Sequence, residues 1–226
     1  MSTTVLKLIA LLSMALDHTG AVLFPQAQWM RIIGRLAFPI YCFCLVEGYR
    51  HTSSVPRYLA RLGLFALLSE IPFDLALTSG FPDWSHQNVF FTLSMGLAVV
   101  WMLDAWSESL PVAAFLGAVS FIVAAELLQT DYGAFGVLLI LLFAVCGRIR
   151  RPRLMQIAAF CACTLFCYWG TLEQYAVAAA LPIGLYNGKK GGTGRGRWLR
   201  WLFYWFYPLH LAILWAVRFF WAGAMG

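Results

Sequence analysis

Val5-Leu6-Lys7-Leu8-Ile9-Ala10-Leu11-Leu12-Ser13-Met14-Ala15-Leu16-Asp17-His18-Thr19-Gly20-Ala21-Val22-Leu23-Phe24 is an apolar run with a carboxylate and an imidazole side by side near its end. About 20 mainly apolar residues make one helical crossing of a bilayer. A buried Asp-His pair there is costly unless it is partnered or used. Histidine accepts and returns protons near neutral pH, and a carboxylate can orient it and stabilise its charged form. Two readings follow: Asp17 and His18 tie neighbouring helices together, or His18 is a general base of a membrane enzyme oriented by Asp17.

Composition decides the class. The 226 residues are 62% hydrophobic and 12% charged, with a mean hydropathy of +0.75. Soluble domains are nearer 45–50% apolar and about 25% charged. The apolar matter lies in long blocks rather than short alternating segments, which predicts an all-α polytopic membrane bundle and excludes an outer-membrane barrel. No stretch between the blocks is long enough for a soluble domain, so one domain over 1–226 is expected. The net charge of +6 sits in short loops, which points to membrane topology and away from nucleic acid. Cys42, Cys44, Cys146, Cys161, Cys163 and Cys167 lie in apolar runs without CxxC spacing. They read as packing residues, and no metal is expected. Lys7 and its apolar run imitate a signal peptide, but Asp17-His18 falls where a cleavage region should begin. The segment is read as a retained span.

Nine spans are expected, near 4–24, 31–47, 57–77, 88–106, 110–128, 132–146, 154–170, 173–187 and 201–221. Basic residues occupy alternate loops: Arg50, Arg57 and Arg61; Arg148, Arg150, Arg151 and Arg153; Lys189, Lys190, Arg195, Arg197 and Arg200. The loops at 78–87, 129–131 and 171–173 have no Lys or Arg. The positive-inside rule then gives an N-in, C-out chain.

This topology assigns depths. Asp17 and His18 stand about 20 Å along the first span, in the outer half of the membrane. Arg31 and Arg35 share one face at the outer end of the second span, where Arg35 can meet Asp17-His18. Glu70 and Asp74 flank Pro72 toward the outer end of the third span. Asn88 opens the fourth, and Glu126 and Asp131-Tyr132 bracket the turn from fifth to sixth. Such an accumulation predicts a wet cavity near the outer face.

At the other end, Glu47-Gly48-Tyr49-Arg50-His51-Thr52 with Arg57 and Arg61 reads either as a headgroup anchor or as a mouth for an anionic ligand. The basic loop Asn187–Arg197 lacks the P-loop register and reads as a flexible linker. In the last span, Trp198, Trp201 and Trp205 are interface anchors. His210 follows Pro208, whose ring frees a main-chain carbonyl for a polar side chain to satisfy. A second, catalytic role for His210 stays open.

Lys7-Leu8-Ile9-Ala10 through Asp17-His18-Thr19-Gly20 and Ile33-Gly34-Arg35-Leu36-Ala37-Phe38-Pro39 resemble the TraX family. So do Glu47–Thr52, Tyr58–Arg61, Ser69-Glu70-Ile71-Pro72-Phe73-Asp74, Asn88–Leu93, Asp131-Tyr132-Gly133 and Tyr204–Leu211. The likeness runs in order along nearly the whole chain, and is weakest at 78–87 and 187–200.

The family's namesake is a conjugation protein of the bacterial inner membrane implicated in N-terminal acetylation of pilin. The family is also distantly similar to transmembrane acyltransferases that acetylate sugars. The resemblance implies an acetyltransferase with His18 as the catalytic histidine and Arg35 as its basic partner. Acetyl-CoA would be the donor, its anionic head suited to Arg50, His51, Arg57 and Arg61 and its arm reaching toward His18. The acceptor would be a pilin N-terminal amine, a sugar, a lipid or a small amine, reached from Glu70, Asp74, Asn88, Asp131, Tyr132 and His210. His18 would act as general base or as acetyl carrier, with Arg35 or Asn88 stabilising the oxyanion. Membrane lipids are expected partners, and homo-oligomers stay open. The rival is a transporter or proton relay using Asp17, His18, Arg35, Glu70 and Asp74, although no inverted repeat is visible. A scaffold without chemistry leaves the buried polar set unexplained.

Overall fold

The computed structural model describes residues 1–78, 81–149, 151–189 and 196–225. Arg150 and Lys190 to Arg195, on which part of the loop reading rests, lie outside the described residues, as do the side chains of Arg197 and Arg200. The helices are α1 (Thr3–Val22), α2 (Gln28–Gly34), α3 (Ala37–Arg50), α4 (Val55–Leu77), α5 (Val89–Trp106), α6 (Pro111–Leu127) and α7 (Gly133–Cys146). After them come α8 (Pro152–Tyr168), a 3₁₀ segment (Leu172–Ala179), α9 (Ala180–Gly184) and α10 (Gly196–Met225). Among the described residues there is no strand, only an isolated bridge between Gln87 and Thr130. The all-α expectation holds.

Among the described residues, four helical stretches are long and apolar enough to cross a membrane: Thr3–Val22, Gln28–Arg50, Val89–Trp106 and Trp201–Trp221. The helices α6, α7 and α8 are apolar but shorter. α4 has the length but carries Arg57, Arg61, Glu70 and Asp74. α6 shows why the chain is a membrane protein. It buries Ala114, Ala118 and Ala125 and exposes Val112, Phe115, Leu116 and Val123. Small residues inward and bulky apolar ones outward is the packing of a helix solvated by lipid, where close approach replaces the hydrophobic drive of water.

The chain forms two compact units that alternate along the sequence. The first takes Met1–Tyr41, Ser69–Asp83 and Phe160–Gly226; the second takes Cys42–Leu68 and Trp84–Ala159.

In the first unit, α1 packs between α2 and α10. The predicted second span is broken at Arg35-Leu36, between α2 and α3. Pro39 accounts for the break: its ring would strike the carbonyl four residues back, that of Arg35. α10 runs parallel to α1, with Lys7 over the Phe203 ring, His18 against His210 and Phe24 against Trp221. The predicted eighth span, 173–187, departs most from an ordinary helix. Pro182 cannot accept an α-helical turn onto the Ala178 carbonyl, and the chain is 3₁₀ until Ala179. A 3₁₀ helix rises about 2 Å per residue, so few residues go far. Arg35, which grips Asp17, also grips Glu173 at the start of this segment. Tyr186 and Lys189 at its far end meet Thr3. The segment therefore runs back along α1 from Asp17 to Thr3, a rise of about 21 Å.

The second unit is built on α5, α6 and α7 around Val99, Ala118, Ala125 and Val137. Gly96 lets α5 approach α7, since a Cβ there would stand 2.3 Å from Ile140. Met95, Leu103, Phe121, Ile122 and Leu141 pack against this core, and Phe43, Phe65, Leu97, Leu139 and Phe143 are also buried in the unit.

Candidate functional site

The polar residues of α1 meet two different neighbours. Asp17, only 7% exposed, is gripped by arginines of the second span. One terminal nitrogen of Arg35 donates to both carboxylate oxygens at 2.6 Å, and Arg31 donates to Oδ2 at 2.9 Å and to the Asp17 carbonyl at 3.2 Å. The other terminal nitrogen of Arg35 reaches Glu173 at 2.7 Å, and its Nε reaches the Arg31 carbonyl at 3.3 Å. Two guanidiniums and two carboxylates thus balance one another. Mutual pairing is the condition under which buried charges are tolerated, although Glu173 Oε2 is buried without a hydrogen-bond partner.

Gly34 makes this approach feasible. A Cβ on Gly34 would lie 2.2 Å from Asp17 Oδ1, so only glycine allows α2 to rest directly on the carboxylate.

His18 faces elsewhere. Its Nδ1 is 2.6 Å from Nε2 of His210, with ring centroids 4.9 Å apart and nearly parallel. The Nδ1 of His210 is 2.8 Å from the Phe206 carbonyl. Tyr207 sets its ring edge-on to both imidazoles. Both histidines are 9% exposed. The expected orientation of His18 by Asp17 is therefore corrected. Adjacent residues of a helix point about 100° apart, so the pair cannot turn toward one partner or each other. Arg35 meets Asp17 as expected, while the group that orients His18 is His210. His210 bonds the Phe206 carbonyl, not the Tyr204 carbonyl four residues before Pro208, and its second nitrogen faces His18.

The remaining cavity candidates split between the units. In the first, Asp74 is 1% exposed; its Oδ2 accepts from the Asp83 amide at 2.9 Å, while Oδ1 is buried without a partner. Glu70 is half-buried one turn earlier, on the other side of Pro72. In the second, Asn88 is wholly buried. Its Oδ1 caps α5 through the Phe90 amide at 3.1 Å, and its Nδ2 donates to the Ala66 carbonyl of α4 at 2.7 Å. The amide is engaged at both ends, which makes Asn88 a structural clamp and removes the reason for assigning it an oxyanion. Asp131 and Tyr132 belong to a tight loop. The Asp131 amide donates to the Gln87 carbonyl at 2.8 Å, its carbonyl accepts from Thr92, and Tyr132 is left-handed (φ 65°).

The predicted anion mouth lies in the second unit and divides by role. Arg50 pairs with Glu47 at 3.2 Å and donates to the Ala144 carbonyl at 3.4 Å. Its guanidinium lies so close to Gly147 that no Cβ would fit there. His51 turns Nδ1 to the Glu47 carbonyl at 2.8 Å. Both are spent on the ends of α3 and α7. Arg57 is exposed on the first turn of α4, and Arg61 stacks over Tyr58 with Nε buried and unpartnered.

Three residues escaped sequence reasoning. Glu173 is the only acidic residue between 132 and 226, a usable signal. Tyr207 was masked by the aromatic run around it. Arg218, the only cation between 201 and 226, donates to the Leu75 and Ala76 carbonyls at 2.7 and 3.0 Å and so caps α4.

Comparison with known proteins gives this geometry its context. The chain matches the TraX protein family over residues 2–218. It is similar to a probable fimbrial assembly protein FimC, serogroup H1, of Dichelobacter nodosus, at 30% identity over 95% of this chain and 95% of that protein. It is similar to Protein TraX of Escherichia coli K12, at 30% identity over 93% of this chain and 84% of that one. No solved structure matches. The match over almost the full length, with the Asp17, His18, Arg35 and His210 cluster inside it, means that this membrane protein belongs to the TraX family.

Proposed function

We propose that the protein is an inner-membrane acetyltransferase that moves acetyl from cytoplasmic acetyl-CoA to an acceptor near the outer face, with His18 at its centre. One observation carries the reading: a buried imidazole held at 2.6 Å by a second imidazole, beside a charge-balanced Asp17–Arg31–Arg35–Glu173 network. A structural histidine needs one satisfied partner. A general base needs a fixed ring and a basic nitrogen kept for substrate, and a histidine partner supplies the first without consuming the second.

The N-in, C-out topology with nine crossings belongs to the same proposal. The parallel run of α1 and α10 supports an odd number of spans. The return of residues 173–187 along α1 supports counting that irregular segment as one of them. Arg57 and Arg61 are the groups proposed for the anionic head of acetyl-CoA, in place of Arg50 and His51. The acceptor proposed is the N-terminal amine of a pilus or fimbrial subunit. The similarity to a protein named for fimbrial assembly supports it.

In the direct route, His18 removes a proton as the acceptor attacks the thioester carbonyl, and Arg35, committed to Asp17 and Glu173, fixes the same end of α1. Purified protein with acetyl-CoA and a short peptide tests this. CoA release that needs a free peptide α-amine, and that a peptide with a blocked amine does not elicit, is expected. Equal release with a sugar and no response to the amine would overturn the acceptor assignment. A protein that neither binds acetyl-CoA nor releases CoA would favour a proton relay built on the same two histidines.

A further inference from the structure

We propose that His210 is a positioning residue that selects the reactive atom of His18, by holding that ring in the form with hydrogen on Nδ1 and an unshared pair on Nε2. The inference rests on the acetyltransferase reading for its chemical consequence, and on geometry alone for the tautomer.

A carbonyl oxygen only accepts, so the 2.8 Å contact from the Phe206 oxygen requires hydrogen on His210 Nδ1. With that ring neutral, His210 Nε2 carries the lone pair and is an acceptor. His18 Nδ1 stands 2.6 Å away and must then be the donor. One hydrogen bond fixes the next, and the consequence at the end of the chain is a bare Nε2 on His18. The tautomer of a working histidine is commonly set by the bond its other nitrogen makes. Here the orienting group is a second imidazole, because the neighbouring carboxylate, Asp17, is committed to Arg31 and Arg35.

The local structure that allows this is specific. Pro208 lies inside α10 between Phe206 and His210. Tyr207 packs edge-on against both rings, at 5.8 and 5.7 Å between centroids, and restricts their rotation. α10 is held alongside α1 by these contacts and by Lys7 over Phe203.

In the reaction, the amine nitrogen of the acceptor forms a bond to the thioester carbonyl carbon and gives a proton to His18 Nε2. The carbon–sulfur bond then breaks, and the proton passes to the departing thiolate. Products are the acetylated amine and CoA thiol, and His18 ends in its starting form. While Nε2 is protonated, the ring is a cation whose Nδ1 hydrogen still points at the His210 lone pair. His210 therefore stabilises the charged intermediate state as well as the resting tautomer.

The test is ¹⁵N NMR of the histidine rings in the full chain, reconstituted in lipid, with His18→Ala used to assign the His18 signals among the four histidines. The expected spectrum has His18 protonated at Nδ1 and bare at Nε2, the reverse of what a free neutral imidazole favours. His210→Leu should convert His18 toward the ordinary tautomer, and His210→Gln, which keeps an acceptor, should restore the hydrogen on Nδ1. Acetyl transfer should follow: a loss of about 10²–10⁴-fold in kcat with little change in KM for His210→Leu, partly recovered in His210→Gln. A wild-type His18 bare at Nδ1, or doubly protonated, would overturn the proposal, even if His210→Leu does not fold. A correct tautomer in a protein without CoA release would refute the acetyltransferase reading and leave the tautomer assignment standing.

Discussion

Gly34 rests on the carboxylate of Asp17 so closely that a methyl group at its Cα would stand 2.2 Å from Oδ1. The methyl group would also meet the Asp17 Cβ, an atom that side-chain rotation does not move. Gly34→Ala should therefore push α2 off α1, at an overpacking cost of about 1–3 kcal/mol. The expected result is a lowered unfolding temperature in detergent together with reduced acetyl transfer. An unchanged midpoint would show that the two helices are further apart.

Asp17 and Arg35 form a pair whose halves are unequal to remove. Asp17→Asn leaves two guanidiniums facing a neutral amide, with Glu173 as the remaining counter-charge. Breaking a buried pair by removing one partner costs about 3–5 kcal/mol. Arg35→Lys keeps the charge but cannot reach Asp17 and Glu173 together with one fork. Both variants should be destabilised, and the double variant Asp17→Asn with Arg35→Gln should be less unstable than the sum of its parts. Strict additivity in that cycle would argue against a shared network.

Asn88 is expected to matter for stability and not for chemistry. Asn88→Ala removes the cap of α5 and the donor to the Ala66 carbonyl, a loss of about 1–3 kcal/mol. The denaturation midpoint should fall while kcat of the folded fraction stays near wild type. A large fall in kcat without loss of stability would return Asn88 to the oxyanion site.

The arginines near the basic end should separate by assay. Arg57→Gln and Arg61→Gln should each weaken acetyl-CoA binding about tenfold or more, since a charge-assisted hydrogen bond contributes about 1.5–3 kcal/mol. Arg50→Gln should instead lower stability, because it frees Glu47 and the end of α7. Titration calorimetry beside a thermal scan distinguishes the two outcomes.

How far the sequence led depends on what kind of signal each feature leaves. The membrane class and helical content were legible because apolar blocks and loop arginines are written one residue at a time. The Arg35–Asp17 contact was legible for a similar reason: a short hairpin brings the ends of two spans together, and charges within apolar runs must find one another. The partner of His18 was not. His210 lies 192 residues away, and no local pattern says that the last helix runs beside the first. Adjacency in sequence suggested Asp17 instead, although helical geometry turns neighbours apart. The 3₁₀ path of residues 172–179 was hidden because its alanine-rich run reads as ordinary helix. Asn88 and Arg50 looked functional for a different reason: a polar residue in an apolar chain carries the same letter whether it binds a substrate or ends a helix.

Whether His18 carries acetyl transfer is read from acetyl-CoA binding and CoA release by the purified protein, wild type beside His18→Ala. Wild type should bind acetyl-CoA and release CoA slowly without acceptor and faster with a peptide amine. His18→Ala should bind comparably and release none above the uncatalysed rate. CoA release by His18→Ala at the wild-type rate would exclude His18 as the catalytic base.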